Sequence, residues 1–213
     1  MIEYLVDSLV KNSFLFDKTI CDLHKPCQDN KCISKSKLRV VDFDEVKSFY
    51  CKQHSLDPSK SVDALFLSSN TLFFIEIKGW KRYLQYNDFK EEDVNVQIEK
   101  YRFSDKYYDS YNILVKYMID ANVLESDIKN FCALDKFFVV VTDVSCNDNP
   151  VQHISNVLNF LAETSISEAY CYNKFSEHIK SIDFNAISVC NKPIKQAVIY
   201  CKDFDAKLSA MIK

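Results

Sequence analysis

Ser61-Val62-Asp63-Ala64-Leu65-Phe66-Leu67 and Leu72-Phe73-Phe74-Ile75-Glu76-Ile77-Lys78 are the two stretches on which the fold turns. Apart from their charged residues, both are apolar at nearly every position. That pattern predicts strands covered on both faces, as in a sheet with helices on each side. Ser68-Ser69-Asn70-Thr71 lies between them and reads as a hairpin connection. Glu76 and Lys78 are two positions apart and so point to one face of their strand. Asp63 lies across the hairpin, where its side chain can converge with theirs. Charges in such strands are costly unless they are paired or bound to a metal.

Outward from this hairpin the chain reads as α/β. Ile2, Leu5, Val6, Leu9 and Val10 recur at helical spacing at the start of the chain. A second helix is expected from Asp42, with Asp42 and Glu45 as a capping box and Val46, Phe49 and Tyr50 as its apolar face. One long helix is expected over 94–118, with Val94, Ile98, Tyr101, Tyr108, Tyr111 and Met118 as its stripe. The apolar run Phe137-Phe138-Val139-Val140-Val141 predicts a buried strand over 136–142. Asn149-Pro150 reads as the N-cap and first residue of a helix that buries Val151, Ile154, Val157, Leu158 and Leu161. Late strands are expected over 186–190 and 196–201. No repeat or linker divides the chain, so 1–213 is expected to be one domain with an irregular Cys-bearing loop at about 18–38.

Composition removes several function classes. Gly79 is the only glycine among 213 residues, which excludes glycine-rich phosphate loops and the Gly-x-Ser-x-Gly hydrolase elbow. Hydrophobic residues make up 47%, too many for a mainly disordered chain. The net charge of −3 does not advertise nucleic-acid binding, although carboxylates in a site lower the total. No stretch is apolar for long enough to span a bilayer, so no membrane partner is expected. Met1 to Val10 carries Glu3 and Asp7 without a basic start and does not read as a signal peptide. Cys51, Cys132, Cys171, Cys190 and Cys201 sit in apolar surroundings, as reduced core cysteines do, which points to a cytoplasmic compartment.

The charged residues of the hairpin make chemical sense together. Two carboxylates on neighbouring strands can hold a hard divalent cation such as Mg²⁺ or Mn²⁺, with the carbonyl of Ile77 as a further ligand. Lys78 then stands where it can orient a water or neutralise charge developing on a phosphate. The bland alternative is a structural salt bridge at strand ends.

Asp63 followed by Glu76-Ile77-Lys78 on the next strand resembles the signature of the PD-(D/E)XK nuclease superfamily, with Val62 in place of the usual proline. The resemblance covers roughly 42–142. It implies a restriction-endonuclease-like αβββαβ core, a central mixed sheet flanked by helices. No third strand is evident between Lys78 and Val94. Gln97-Ile98-Glu99-Lys100-Tyr101 is similar to the Gln-x-x-x-Tyr motif of RecB-like exonucleases in that superfamily. Four apart on a helix, Gln97 and Tyr101 share one face, and the resemblance gives both a place in the catalytic group. It also implies a further metal ligand from a preceding helix, for which Glu45 is the candidate beside its capping role.

Two other clusters carry expectations. Lys81 and Arg82, next to Trp80 and Tyr83, are expected to contact a phosphate backbone, with a solvated strand end as the alternative. Cys21, His24, Cys27 and Cys32 offer four soft ligands, either a small zinc site or a Cys-bearing loop. Taken together, the residues and the resemblance imply a Mg²⁺- or Mn²⁺-dependent nuclease acting on DNA ahead of RNA. Many relatives dimerise, which leaves a homodimer open. A silent binding module on the same fold is the alternative.

Overall fold

The computed structural model describes residues 18–24, 35–57, 59–68, 70–86, 90–144, 159–184 and 192–212, with the side chains of Arg82, Gln85, Tyr86, Glu91 and 159–166 excepted. The expected opening helix, Asn149-Pro150 with the positions after it up to Leu158, the strand at 186–190, Cys27 and Cys32 lie outside the described residues, as does the side chain of Leu161.

Among the described residues, five strands form one mixed sheet in chain order: β1 (Val41–Asp42), β2 (Ala64–Ser68), β3 (Thr71–Lys78), β4 (Asp135–Thr142) and β5 (Ile194–Tyr200). β1 and β2, and β2 and β3, pair antiparallel, and β4 and β5 continue parallel to β3. The hairpin expectation therefore holds, with Leu65 opposite Phe74 and Ala64 opposite Ile75. The strand expected over 136–142 is β4, and β5 is the last of the expected strands. The helices are α1 (Ile20–Leu23), α2 (Phe43–Gln53), α3 (Lys81–Tyr86), α4 (Glu91–Lys100), α5 (Phe103–Asp120), α6 (Glu125–Cys132), α7 (Asn159–Ser181) and α8 (Phe204–Met211).

The apolar runs follow from this layering. Leu72 and Phe74 of β3, with Phe138 and Val140 of β4, face a core built with residues of α2, α4, α5, α6 and α7. Their alternates, Phe73, Ile75, Phe137, Val139 and Val141, face a second core with residues of α1 and α8. Strands buried on both faces have no polar alternation to show, which is why they read as continuous apolar runs. No described helix is long and apolar enough to cross a membrane.

Four expectations change. The order departs from αβββαβ between β1 and β2, where α2 intervenes, and after β4, where α7 and β5 follow; Lys81–Tyr86, where no third strand was evident, is helical. The remaining antiparallel strand is instead β1, ahead of α2 and only two residues long. On α2, Phe43, Val46 and Tyr50 form the buried stripe while Phe49 is 40% exposed, because it lies about 120° around the helix from Phe43. The capping box is half present: the Asp42 side chain accepts from the Glu45 backbone N–H at 3.3 Å, but the Glu45 carboxylate accepts from Lys18 at 2.9 Å.

The single helix over 94–118 is two helices. They meet at Tyr101 and Arg102, where Arg102 takes a left-handed conformation, φ 50°. This costs a non-glycine residue roughly 1–2 kcal/mol. The break shifts the apolar phase. Val94 and Ile98 are buried on α4, and Phe103, Tyr107, Tyr111, Leu114 and Met118 on α5. Tyr107 therefore takes the core position expected of Tyr108, which is 44% exposed.

Candidate functional site

The C-terminal ends of the three parallel strands lie in one row, with Lys78 of β3 beside Thr142 of β4 and Thr142 beside Tyr200 of β5. In open α/β sheets, ligands sit outside this edge. Alternation along β3 sends Glu76 and Lys78 to the same face as Leu72 and Phe74, towards α4 and α5. The fold therefore brings the hairpin charges and the helix break to one place.

Glu76 is wholly buried. Its Oε1 accepts from two ammonium groups, Lys78 and Lys106, the latter at 2.6 Å. Its Oε2 is buried without a hydrogen-bond partner. Burial is the main reason its pKa is raised, the Asp63 charge adds to it, and Lys78 and Lys106 oppose it. Asp63 is partly exposed, and its Oδ2 accepts the Ile77 N–H at 2.6 Å. The Lys78 ammonium stands 4.0 Å from that oxygen. It also donates to the Ile77 carbonyl at 3.2 Å and lies 4.8 Å from the centre of the Tyr101 ring, within cation–π range.

Asp63, Glu76, Ile77, Lys78 and Tyr101 are thus brought together. Gln97, half-buried on α4, faces the Tyr101 hydroxyl. Burial first of all pushes the Tyr101 pKa up to about 12, so the phenol stays protonated. It is a hydrogen-bonding group here, not a base.

A cleft of about 310 Å³ opens on Asp63 and Ile77 and is walled by Leu23, His24, Asp42, Asp44, Glu45 and Ser48. Glu45 therefore shares a cleft with Asp63, as a third carboxylate ligand must. Its charge is already engaged, because Lys18 bridges Glu45 at 2.9 Å and Asp42 at 2.8 Å. His24 is buried on the cleft wall. Burial holds its pKa below the ordinary value against the pull of Asp143 and Asp63, and Lys78 adds to the lowering.

The other expected residues have partners of their own. Lys81 opens α3 and pairs with Glu168 of α7 at 3.3 Å. Burial opposes its charge, but Glu168, Tyr200 and Asp143 outweigh burial and raise its pKa. The backbone of Arg82 lies on α3. Cys21 is a buried thiol that accepts from the Ser36 N–H at 3.4 Å. Of the four expected zinc ligands, only Cys21 and His24 fall within the described residues.

Two residues at the site have no counterpart in the sequence reading. Lys106 had no signal, because an unbroken helix points it elsewhere. Asp143 had one, a carboxylate directly after a buried apolar strand. Its Oδ1 accepts the N–H groups of Trp80 at 2.6 Å and Lys81 at 3.2 Å and so fixes the turn after β3.

Among the described residues no three His, Cys, Asp or Glu side chains form a metal-binding group. Mg²⁺, however, is commonly held by one or two carboxylates with waters completing its shell. Asp63, the Ile77 carbonyl and the unpartnered Oε2 of Glu76 are the oxygens that would hold one here. No protein-family model matches the sequence, and no curated protein or solved structure matches the chain.

Proposed function

We propose that this chain is a divalent-metal-dependent nuclease of the PD-(D/E)XK type, hydrolysing phosphodiester bonds in DNA, with a restriction-endonuclease-like core. One observation carries the reading: a fully buried glutamate with an unpartnered oxygen, next to a second carboxylate and a lysine at the open end of a parallel sheet. A carboxylate oxygen left bare in the interior is unfavourable. A cation held by Asp63, Glu76 and the Ile77 carbonyl would satisfy it.

Such an ion, when bound, polarises the phosphate and acidifies a bound water. The protein's own groups do the rest. Lys78 lies next to both carboxylates and is positioned to neutralise charge on the phosphate oxygens. Tyr101 supports Lys78 with its ring and offers a protonated hydroxyl, which Gln97 orients. The Asp63 Oδ2 is held in place by the Ile77 N–H, so the carboxylate needs little reorganisation to act.

A second reading is also favoured by one observation. Lys78 and Lys106 balance the charges of Asp63 and Glu76 within the protein, as a silent binding module with this fold would do. Incubation with single- and double-stranded DNA and RNA, with and without Mn²⁺, separates the two. Mn²⁺-dependent cleavage that Asp63→Asn abolishes supports the enzyme, and cleavage of RNA alone replaces DNA as the substrate. Nucleic-acid binding without cleavage of any of the four supports the module.

A further inference from the structure

We propose that Lys106 is a positioning residue that keeps Glu76 charge-balanced and thereby frees Lys78 to act on the phosphate. The inference rests on the nuclease reading and adds to it a residue outside the Asp63, Glu76 and Lys78 set.

The two lysines share one oxygen of one carboxylate. A buried carboxylate is costly unless it is paired, and one ammonium matches its formal charge. The two are not equivalent. Lys78 has other partners besides Glu76: the Ile77 carbonyl at 3.2 Å, Asp63 at 4.0 Å and the Tyr101 ring at 4.8 Å. Among the described residues, the hydrogen bond of the Lys106 ammonium is to Glu76 alone. Lys78 is therefore the ammonium that can move, and Lys106 the one that stays.

The backbone is arranged to allow this. Lys106 follows Gln97 by nine positions. At about 100° per residue, an unbroken helix would turn it roughly 180° away from Gln97 and the site. The left-handed Arg102 resets the phase, and the backbone N–H of Lys106 then bonds to the Arg102 carbonyl at 3.1 Å in the first turn of α5. An unfavourable residue at the joint thus delivers Tyr101, just before it, against Lys78 and Lys106, just after it, against Glu76.

Without Lys106, Glu76 would hold Lys78 as its only counterion. Lys78 would then be slow to leave for the phosphate, while the metal-binding carboxylates would face one positive charge fewer. The step to be affected is turnover and not binding.

The test uses the full chain as wild type, Lys106→Met, Lys106→Gln and Lys106→Arg. Mn²⁺ affinity is measured by calorimetry, kcat and KM on a DNA oligonucleotide, and folding by thermal melting. Lys106→Met and Lys106→Gln should bind Mn²⁺ at least as tightly as wild type, keep KM within about threefold and lose about tenfold or more in kcat. Lys106→Arg should recover most of that loss. Lys106→Gln keeps a hydrogen-bond donor, so it reports on charge even if the methionine variant does not fold. Wild-type kcat in Lys106→Gln overturns the inference. So does a joint fall of kcat, Mn²⁺ affinity and melting temperature that arginine does not rescue, which marks a purely structural lysine. If the wild type neither binds Mn²⁺ nor cleaves, the nuclease reading itself fails and the inference falls with it.

Discussion

Asp63→Asn separates a metal-binding carboxylate from a structural one. The asparagine carbonyl can still accept the Ile77 N–H now held at 2.6 Å, so the turn at the head of β2 survives. The charge itself acts in two directions. At 4.0 Å from Lys78, its attraction amounts to ~4 kcal/mol at an effective dielectric constant of about 20. Asp63 is 28% exposed, and solvent screening brings that to ~1 kcal/mol. Against this stands its repulsion of buried Glu76, which the substitution relieves. The net change without metal should lie within ~1 kcal/mol, a shift in melting temperature of about 2–4 °C for a chain of this size. With Mn²⁺ at a hundred times its dissociation constant, wild type should gain about 2.7 kcal/mol, and Asp63→Asn should gain nothing. Thermal melting with and without Mn²⁺, together with a cleavage assay, reads all three quantities. A loss above ~3 kcal/mol without metal marks a buried salt bridge. Cleavage at the wild-type rate by the variant refutes the mechanism.

Glu76→Gln should behave differently. It leaves Lys78 and Lys106 facing a neutral amide, so the metal-free protein should lose ~3 kcal/mol, and a melting temperature equal to wild type would count against the two-lysine arrangement. Lys81→Ala alone should change the salt slope of DNA binding by much less than the ~0.9 of a full phosphate contact, because Glu168 already holds the ammonium. Glu168→Gln should increase that slope if Lys81 reaches phosphate once released, and an unchanged slope would retire Lys81 as a contact. Burial keeps the His24 pKa below 6.5, so below that pH the unfolded chain binds a proton that the folded one does not. Stability should therefore fall as the pH drops through this region, and His24→Gln should flatten the fall; parallel melting curves for the two proteins would contradict this. Metal analysis of protein purified without chelator should find stoichiometric zinc, lost in Cys27→Ser, if Cys21, His24, Cys27 and Cys32 form a site. A metal-free preparation assigns them to a plain loop.

What was legible in the sequence was whatever burial alone determines. β2, β3 and β4 stood out because both faces of the sheet are covered, and the charges within them stood out for the same reason. Asp63, Glu76 and Lys78 were therefore readable as a group before any geometry was known. The end of the long helix at Tyr101 was not readable, because no glycine, proline or asparagine marks it. Arginine enters the left-handed region there under tertiary constraint, and helix periodicity carries no trace of it. Lys106 was lost as a consequence, since its direction depends on that one residue. β1 was missed because two residues show no period, and α3 because the basic and aromatic positions after Gly79 suit a strand end as well as a helix. The pairing of Lys81 with Glu168 joins residues far apart in the chain, which no local pattern encodes.

The division of the sheet into a local hairpin and distant parallel partners has a consequence for how the protein acquires its site. β2 and β3 are neighbours in the chain, paired from Ser68 and Thr71 onward, and can form early, bringing Asp63, Glu76 and Lys78 together while they are still in water. β4 and α5 come from much farther along the chain, and non-local pairings of this kind form slowly. The charges are therefore assembled wet and dried late, when Lys106 arrives with α5. A step that dehydrates a carboxylate should be among the slowest in folding, and substitutions at Lys106 should alter the rate of folding more than substitutions in β5, which should chiefly speed unfolding.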